Sequence, residues 1–138
     1  INRAAMVAGL EIVECVTKEL RIHGWLKNVD RDDHLSVYGS DRIGLKHLMD
    51  ENPELNQPLH PDLPYLKGEV IWAVRNEMAQ TIEDFLARRT RALLLHAHAS
   101  MEMAEEVGRL MAREFGKDEA WVQQEVKEYQ QVAKNYML

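Results

Sequence analysis

All four prolines of this chain fall between Pro53 and Pro64, and none follows before its end at Leu138. Proline removes a backbone donor and drives the residue before it out of the helical region, so residues 52–64 are expected to be an irregular loop. Beyond Pro64 the strongest helix breaker is absent and apolar residues recur at helical spacing. Val70, Ile71, Val74 and Met78 make one stripe, and Ile82, Phe85 and Leu86 a second. Leu93, Leu94 and Leu95 lead into a third, through Ala97, Met101, Ala104, Val107, Leu110 or Met111, and Phe115. Gly116 is a C-cap and Asp118 an N-cap for a last helix, whose apolar face is Val122, Val126, Tyr129, Ala133 and Tyr136. No period-two alternation lasts long enough to build a sheet. The expected fold is all-α: a compact bundle of about five or six helices, with an irregular N-terminal arm and a Pro-rich loop.

The first thirty residues read differently. Ile1 to Leu10 has the composition of a helix end, terminated by Gly9. Glu11 to Asp30 scatters its apolar residues around Gly24 and reads as a connecting arm with one short helical turn or strand-like piece. A charged turn at 30–33 precedes two helices expected at 32–38 and 41–51, separated by Gly39-Ser40-Asp41. The expected division is an arm over 1–30 and a helical domain over 31–138.

Charge and glycine spacing exclude several function classes. A formal charge of −6 argues against nucleic acid, which requires clustered Lys and Arg to displace phosphate counterions. The glycines at 9, 24, 39, 44, 68, 108 and 116 are isolated, so no G-x-G pair lets backbone approach a pyrophosphate. No apolar run approaches the roughly 20 residues that span a bilayer. The start at Ile1, without Met or a basic leader, is how an excised fragment looks. Cys15 is the single cysteine, which fits a reducing cytoplasm and reads as a buried structural thiol beside Lys18 and Arg21.

Candidate sites are few. Asp30-x-Asp32 followed by Asp41 lacks the Gly and the bidentate Glu of a calcium loop, and a solvated helix start accounts for it. His96 and His98 lie on opposite sides of a helix. His98 and Glu102 have metal-pair spacing but no third ligand, so a metal-dependent enzyme rests on them alone. No catalytic, cofactor-binding or metal residue is assigned. Thr81-Ile82-Glu83-Asp84 resembles a capping box, with Asp in place of the longer Glu. The sharpest polar cluster is Asp84, Arg88, Arg89 and Arg91 beside the apolar run 92–95. It reads either as an interface between domains or as an exposed charged helix end.

The stretch from Tyr65 to Arg91 contains Glu69-Val70-Ile71-Trp72-Ala73-Val74-Arg75-Asn76-Glu77-Met78-Ala79 and Thr81-Ile82-Glu83-Asp84-Phe85-Leu86-Ala87-Arg88-Arg89-Thr90-Arg91. It closely resembles the C-terminal domain of bacterial FAD-dependent glycerol-3-phosphate dehydrogenases and alpha-glycerophosphate oxidases. Leu20-Arg21-Ile22-His23-Gly24 and Val37-Tyr38-Gly39-Ser40 are similar to two further segments of that family. The resemblance implies a parent that oxidises glycerol 3-phosphate to dihydroxyacetone phosphate. It implies electron transfer to FAD and then to quinone at the membrane, or to oxygen in a sister group. It places the flavin fold and the substrate-binding residues upstream, so none is carried onto this chain. The implied partners are the upstream flavin domain or a second copy. The implied location is the cytoplasm, with the parent peripheral on the inner face of the membrane. A stand-alone helical interaction module is the other class left open, motivated by the amphipathic final helix.

Overall fold

The structure is a computed structural model that describes residues 1–30 and 32–137. Arg31, part of the expected charged turn, lies outside the described residues. The chain divides into two units, Ile1–Asp41 and Arg42–Leu138, further along the sequence than the boundary expected at residue 30.

In the first unit, α1 (Asn2–Val7) ends where Gly9 turns left-handed at φ 67°. One 3-10 turn at Val16–Lys18 interrupts the arm, which is otherwise irregular. Asp33 accepts the Leu35 amide at 2.9 Å and so starts a second 3-10 segment, His34–Asp41, broken at Gly39. The helix expected at 32–38 is therefore a tighter, shorter turn. Cys15 is exposed rather than buried, with Sγ 2.9 Å from the Thr17 hydroxyl.

The second unit is helical around one core. α2 (Arg42–Glu51) and α3 (Lys67–Asn76) interlock through reciprocal small and large residues. A Cβ on Gly44 would lie 2.7 Å from the Trp72 ring, and one on Gly68 would lie 2.5 Å from the Met49 side chain. Between them the Pro-rich segment is more ordered than proline content alone suggests. A 3-10 turn at Pro53–Asn56 leads into an antiparallel hairpin, β1 (Pro58–His60) and β2 (Leu63–Leu66), paired Pro58 to Leu66 and His60 to Leu63. The expectation of no sheet fails here. Two-stranded sheets have only edge strands, where a missing proline donor costs nothing, and strands this short carry no readable alternation.

After α3 come a π-helix at Asp84–Arg89, the single turn α4 (Ala92–Leu95), α5 (Ala97–Phe115) and α6 (Glu119–Lys134). His96, at φ −157°, separates α4 from α5, and its Nδ1 accepts the Ala99 amide at 3.2 Å as an N-cap. The leucine run is thus a separate turn rather than the start of the long helix. Ile82, Phe85, Leu86, Met103, Val107 and Met111 are buried together in the core. Each such burial contributes roughly 1.5–3 kcal/mol relative to exposure. Val122, Tyr129 and Ala133 of α6 join them, whereas Tyr136 lies beyond the helix end and is exposed. Met78 likewise falls past the end of α3 and is exposed rather than part of its stripe. The apolar stripe of α6 is consumed inside its own unit, which removes the motive for a stand-alone interaction helix. Tyr129 donates to Ser100 Oγ at 2.9 Å, and Ser100 donates to the Ala97 carbonyl at 2.8 Å. Burial pushes the Tyr129 hydroxyl up to about 12, so it stays a donor.

Candidate functional site

The segment from Glu77 to Leu95 holds the least regular backbone of the helical unit. α3 closes when the Glu77 and Ala79 amides both donate to the Ala73 carbonyl, at 3.0 and 3.1 Å. Met78 is left between them at φ 55°. The Thr81 hydroxyl then accepts the Asp84 amide at 3.1 Å, while Asp84 Oδ2 accepts the amides of Thr81 at 3.2 Å and Gln80 at 3.0 Å. The capping box expected from the sequence forms, and the short Asp reaches two amides. The π-helix closes when the Thr90 amide and hydroxyl both donate to the Phe85 carbonyl, at 3.0 and 2.9 Å.

The four residues singled out in the sequence are dealt separate roles. Asp84 and Arg88 pair with each other, and Arg88 also reaches Glu83 Oε1 at 2.7 Å. Burial pushes the Asp84 carboxyl up, but the Gln80 amide, the Arg88 guanidinium and Thr81 outweigh it and hold it below the usual carboxylate range. Arg89 turns back onto the end of α3, where Nε and Nη2 donate to the Glu77 carbonyl at 3.2 and 2.6 Å. It closes the Met78 turn. Arg91 is exposed at φ 60°, and its guanidinium has no hydrogen-bond or ion-pair partner among the described residues. Leu94 and Leu95 stand 63% and 66% exposed on the turn that Arg91 begins, while Ala92 and Leu93 fill the core beneath. One cation and two leucines are therefore all that this cluster offers outward beyond the Arg88 pair.

Glu102 is engaged elsewhere than at His98. His60 on β1 accepts the Asp62 amide on Nδ1 at 3.2 Å, which places the proton on Nε2, 2.9 Å from Glu102 Oε2. Both ring nitrogens are occupied in pinning the hairpin to α5, so His60 is a structural latch. The sequence hid it because the partners lie 42 residues apart. No group of three or more His, Cys, Asp or Glu able to hold a metal comes together among the described residues. An open concavity is lined by Glu83, Glu125, Glu128 and Tyr129, where burial, then Glu128 and Asp84, push the Glu125 carboxyl up against the Ile82 amide.

In the first unit, two segments noted separately in the sequence meet. The Ser40 amide donates to the Gly24 carbonyl at 3.3 Å, and a Cβ on Gly39 would lie 1.7 Å from that oxygen. Gly24 at φ 78° and Gly39 at φ 54° thus form a backbone clasp open only to glycine. His23 Nε2 sits 2.7 Å from Asp41 Oδ2 beside it, and Arg21 stacks on Trp25 at 4.6 Å. Neither segment carries the clasp alone, which is why the sequence showed two motifs instead of one contact.

Comparison with known proteins places these features in a family. The family described as the C-terminal domain of alpha-glycerophosphate oxidase matches residues 15–122. The chain is similar to a probable mitochondrial glycerol-3-phosphate dehydrogenase of Caenorhabditis elegans, at 34% identity over 84% of this chain and 19% of the relative. It is 25% identical to glycerol-3-phosphate dehydrogenase 2 of Mycobacterium bovis, over 94% of this chain and 25% of that protein. It is 39% identical to the glycerol-3-phosphate dehydrogenase of Synechocystis over a shorter stretch, 39% of this chain and 10% of that protein. The chain therefore spans a quarter or less of these relatives' length. No solved structure matches it. With its match over residues 15–122, this chain belongs to the family of C-terminal domains of alpha-glycerophosphate oxidase and glycerol-3-phosphate dehydrogenase.

Proposed function

We propose that the chain is the non-catalytic C-terminal part of an FAD-dependent glycerol-3-phosphate dehydrogenase. The upstream part of that enzyme oxidises glycerol 3-phosphate to dihydroxyacetone phosphate. The two electrons and two protons released would reduce FAD to FADH2, and the electrons would pass on to quinone or to oxygen. The observation that carries this reading is the family match over residues 15–122, in a chain that spans only a fraction of its relatives.

The residues present do not fit FAD. A flavin dinucleotide needs glycines at the turn from a strand into a helix, so that successive amides face the pyrophosphate. Here Gly9 and Gly116 end helices, and Gly24 and Gly39 are spent on each other. No step of the oxidation is assigned to these residues. Their role is to pack against the upstream flavin and substrate portion. Support comes from the arm, where every Ile, Leu, Met, Val and Trp from Ile1 to Val29 is exposed. Apolar surface on that scale marks an interaction site. No helix among the described residues is long and apolar enough to cross a membrane. The enzyme would work in the cytoplasm, with its contact to the membrane peripheral.

Flavin absorbance and glycerol-3-phosphate-dependent dye reduction test this reading. They should be measured on the 138-residue chain and on the longer polypeptide that contains it. Only the longer polypeptide should be yellow and active. Stoichiometric FAD in the short chain, or a longer polypeptide inert toward glycerol 3-phosphate, would overturn the proposal.

A further inference from the structure

We infer that Arg91, Leu94 and Leu95 are the anchor by which the helical unit grips the upstream catalytic portion of its own polypeptide, on a surface that is apolar and carries a carboxylate. The inference rests on the reading that this chain is one part of a longer dehydrogenase, and it names the residues that make the contact.

Three observations converge on it. Arg91 holds a left-handed backbone that Gly or Asn would adopt without strain, and a side chain with a Cβ resists it. The surrounding residues enforce that conformation. The Tyr65 hydroxyl donates to the Thr90 carbonyl, the Ala92 amide donates to Thr90 Oγ1 at 3.4 Å, and the Leu94 and Leu95 amides donate to the Arg91 carbonyl at 2.9 and 3.1 Å. Strain held so firmly at an exposed position points to a use for the side chain it carries. Second, Arg91 stands without a carboxylate in a chain of net charge −6, while neighbouring Arg88 and Arg89 both have acceptors. An Arg beside exposed leucines is the composition of an interface centre, with the carboxylate supplied by the other side. Third, three quarters or more of each related protein lies outside the region this chain matches, and a C-terminal domain has that mass upstream.

The test reads one cysteine at the anchor, with labelling followed by mass spectrometry of its own peptide so that upstream thiols do not count. In a Cys15→Ala background, Leu95→Cys is labelled with a maleimide in the 138-residue chain and in the longer polypeptide, with Glu105→Cys on α5 as an exposed control. Leu95→Cys should react at least about tenfold more slowly in the longer polypeptide, at every protein concentration and without lipid, while Glu105→Cys reacts equally in both. Adding Arg91→Gly should raise the melting temperature of the short chain by relieving strain, and should restore fast labelling in the longer one. A purely structural arginine would not separate those two readouts. Equal labelling in an active longer polypeptide overturns the anchor and leaves the dehydrogenase reading intact. Protection that grows with protein concentration overturns it in favour of a second copy, and protection that needs anionic vesicles overturns it in favour of a membrane. A longer polypeptide without glycerol-3-phosphate turnover removes the underlying reading itself.

Discussion

The two units of this chain contain apolar residues of the same kinds and use them in opposite ways. Beyond Arg42, the large side chains converge on Phe85, Leu86 and Met103, and Ile43, Met78, Leu94, Leu95 and Tyr136 are the exposed exceptions among the described residues. In the arm, Met6, Val7, Val13, Val16 and Ile22 all face outward, and order comes from short-range backbone contacts such as the Gly24–Gly39 clasp. One region is held by burial and the other by local geometry. A segment that carries this much apolar surface without a core is fitted to surroundings supplied by more chain.

The contrast can be broken from either side. Phe85→Ala empties a fully buried position and should cost about 3–5 kcal/mol, read from thermal or urea unfolding of the helical signal. A loss below about 1 kcal/mol would mean that the core is loosely packed and the contrast false. Gly39→Ala drives a methyl group into the Gly24 carbonyl at an unfavourable φ and should open the clasp by roughly 1–3 kcal/mol. Amide exchange at Ser40 should accelerate accordingly, and unchanged exchange would show that the clasp does not order the arm.

Asp84→Asn sharpens the comparison on the helical side. The Asp84 carboxyl titrates lower in the folded chain than in the unfolded one. Its contribution is therefore full above the ordinary value near 3.8 and lost as pH falls through the lower folded value. The variant should be about 1 kcal/mol less stable at neutral pH, a loss typical of a removed helix cap. Unfolding curves of parent and variant should converge in acid below the ordinary carboxylate range, and a gap that persists there would assign the stability to shape rather than charge. Val13→Ser, at a side chain 71% exposed, should move the stability of the isolated chain by no more than about 0.5 kcal/mol. A larger loss would reveal burial of the arm in solution.

Much of the helical unit was readable in advance, because stripes such as Val107, Met111 and Val122 report a periodic burial that helices require. The caps at Thr81, Gly116 and Asp118 were readable for the same local reason, with Asp118 accepting the Trp121 amide at 3.0 Å. What escaped was set by distance or by a single extra residue. The hairpin at Pro58–Leu66 is too short for alternation and holds three prolines, and its latch to Glu102 is made between distant parts of the chain. The break at His96 depends on a ring nitrogen capping Ala99, which no spacing announces. In the arginine cluster, composition showed that Arg88, Arg89 and Arg91 matter together but not which one is left over. The wide turn over 84–89 makes that choice.

That wide turn also bears on how the chain can vary. A π-turn is an α-helix lengthened by one residue, and each residue turns the chain by about 100°. Removing Ala87 would restore the ordinary pitch and bring Thr90 to four residues from Phe85, so the same bond would close as an ordinary α-helical one. Losing one residue from a regular helix such as α5 would instead rotate everything downstream by about 100°. Thr90 would keep the Phe85 carbonyl as its acceptor, and the leucines of α4 would keep their sides. At the wide turn, one residue more or less changes the width of a single turn and not the phase of the chain beyond it.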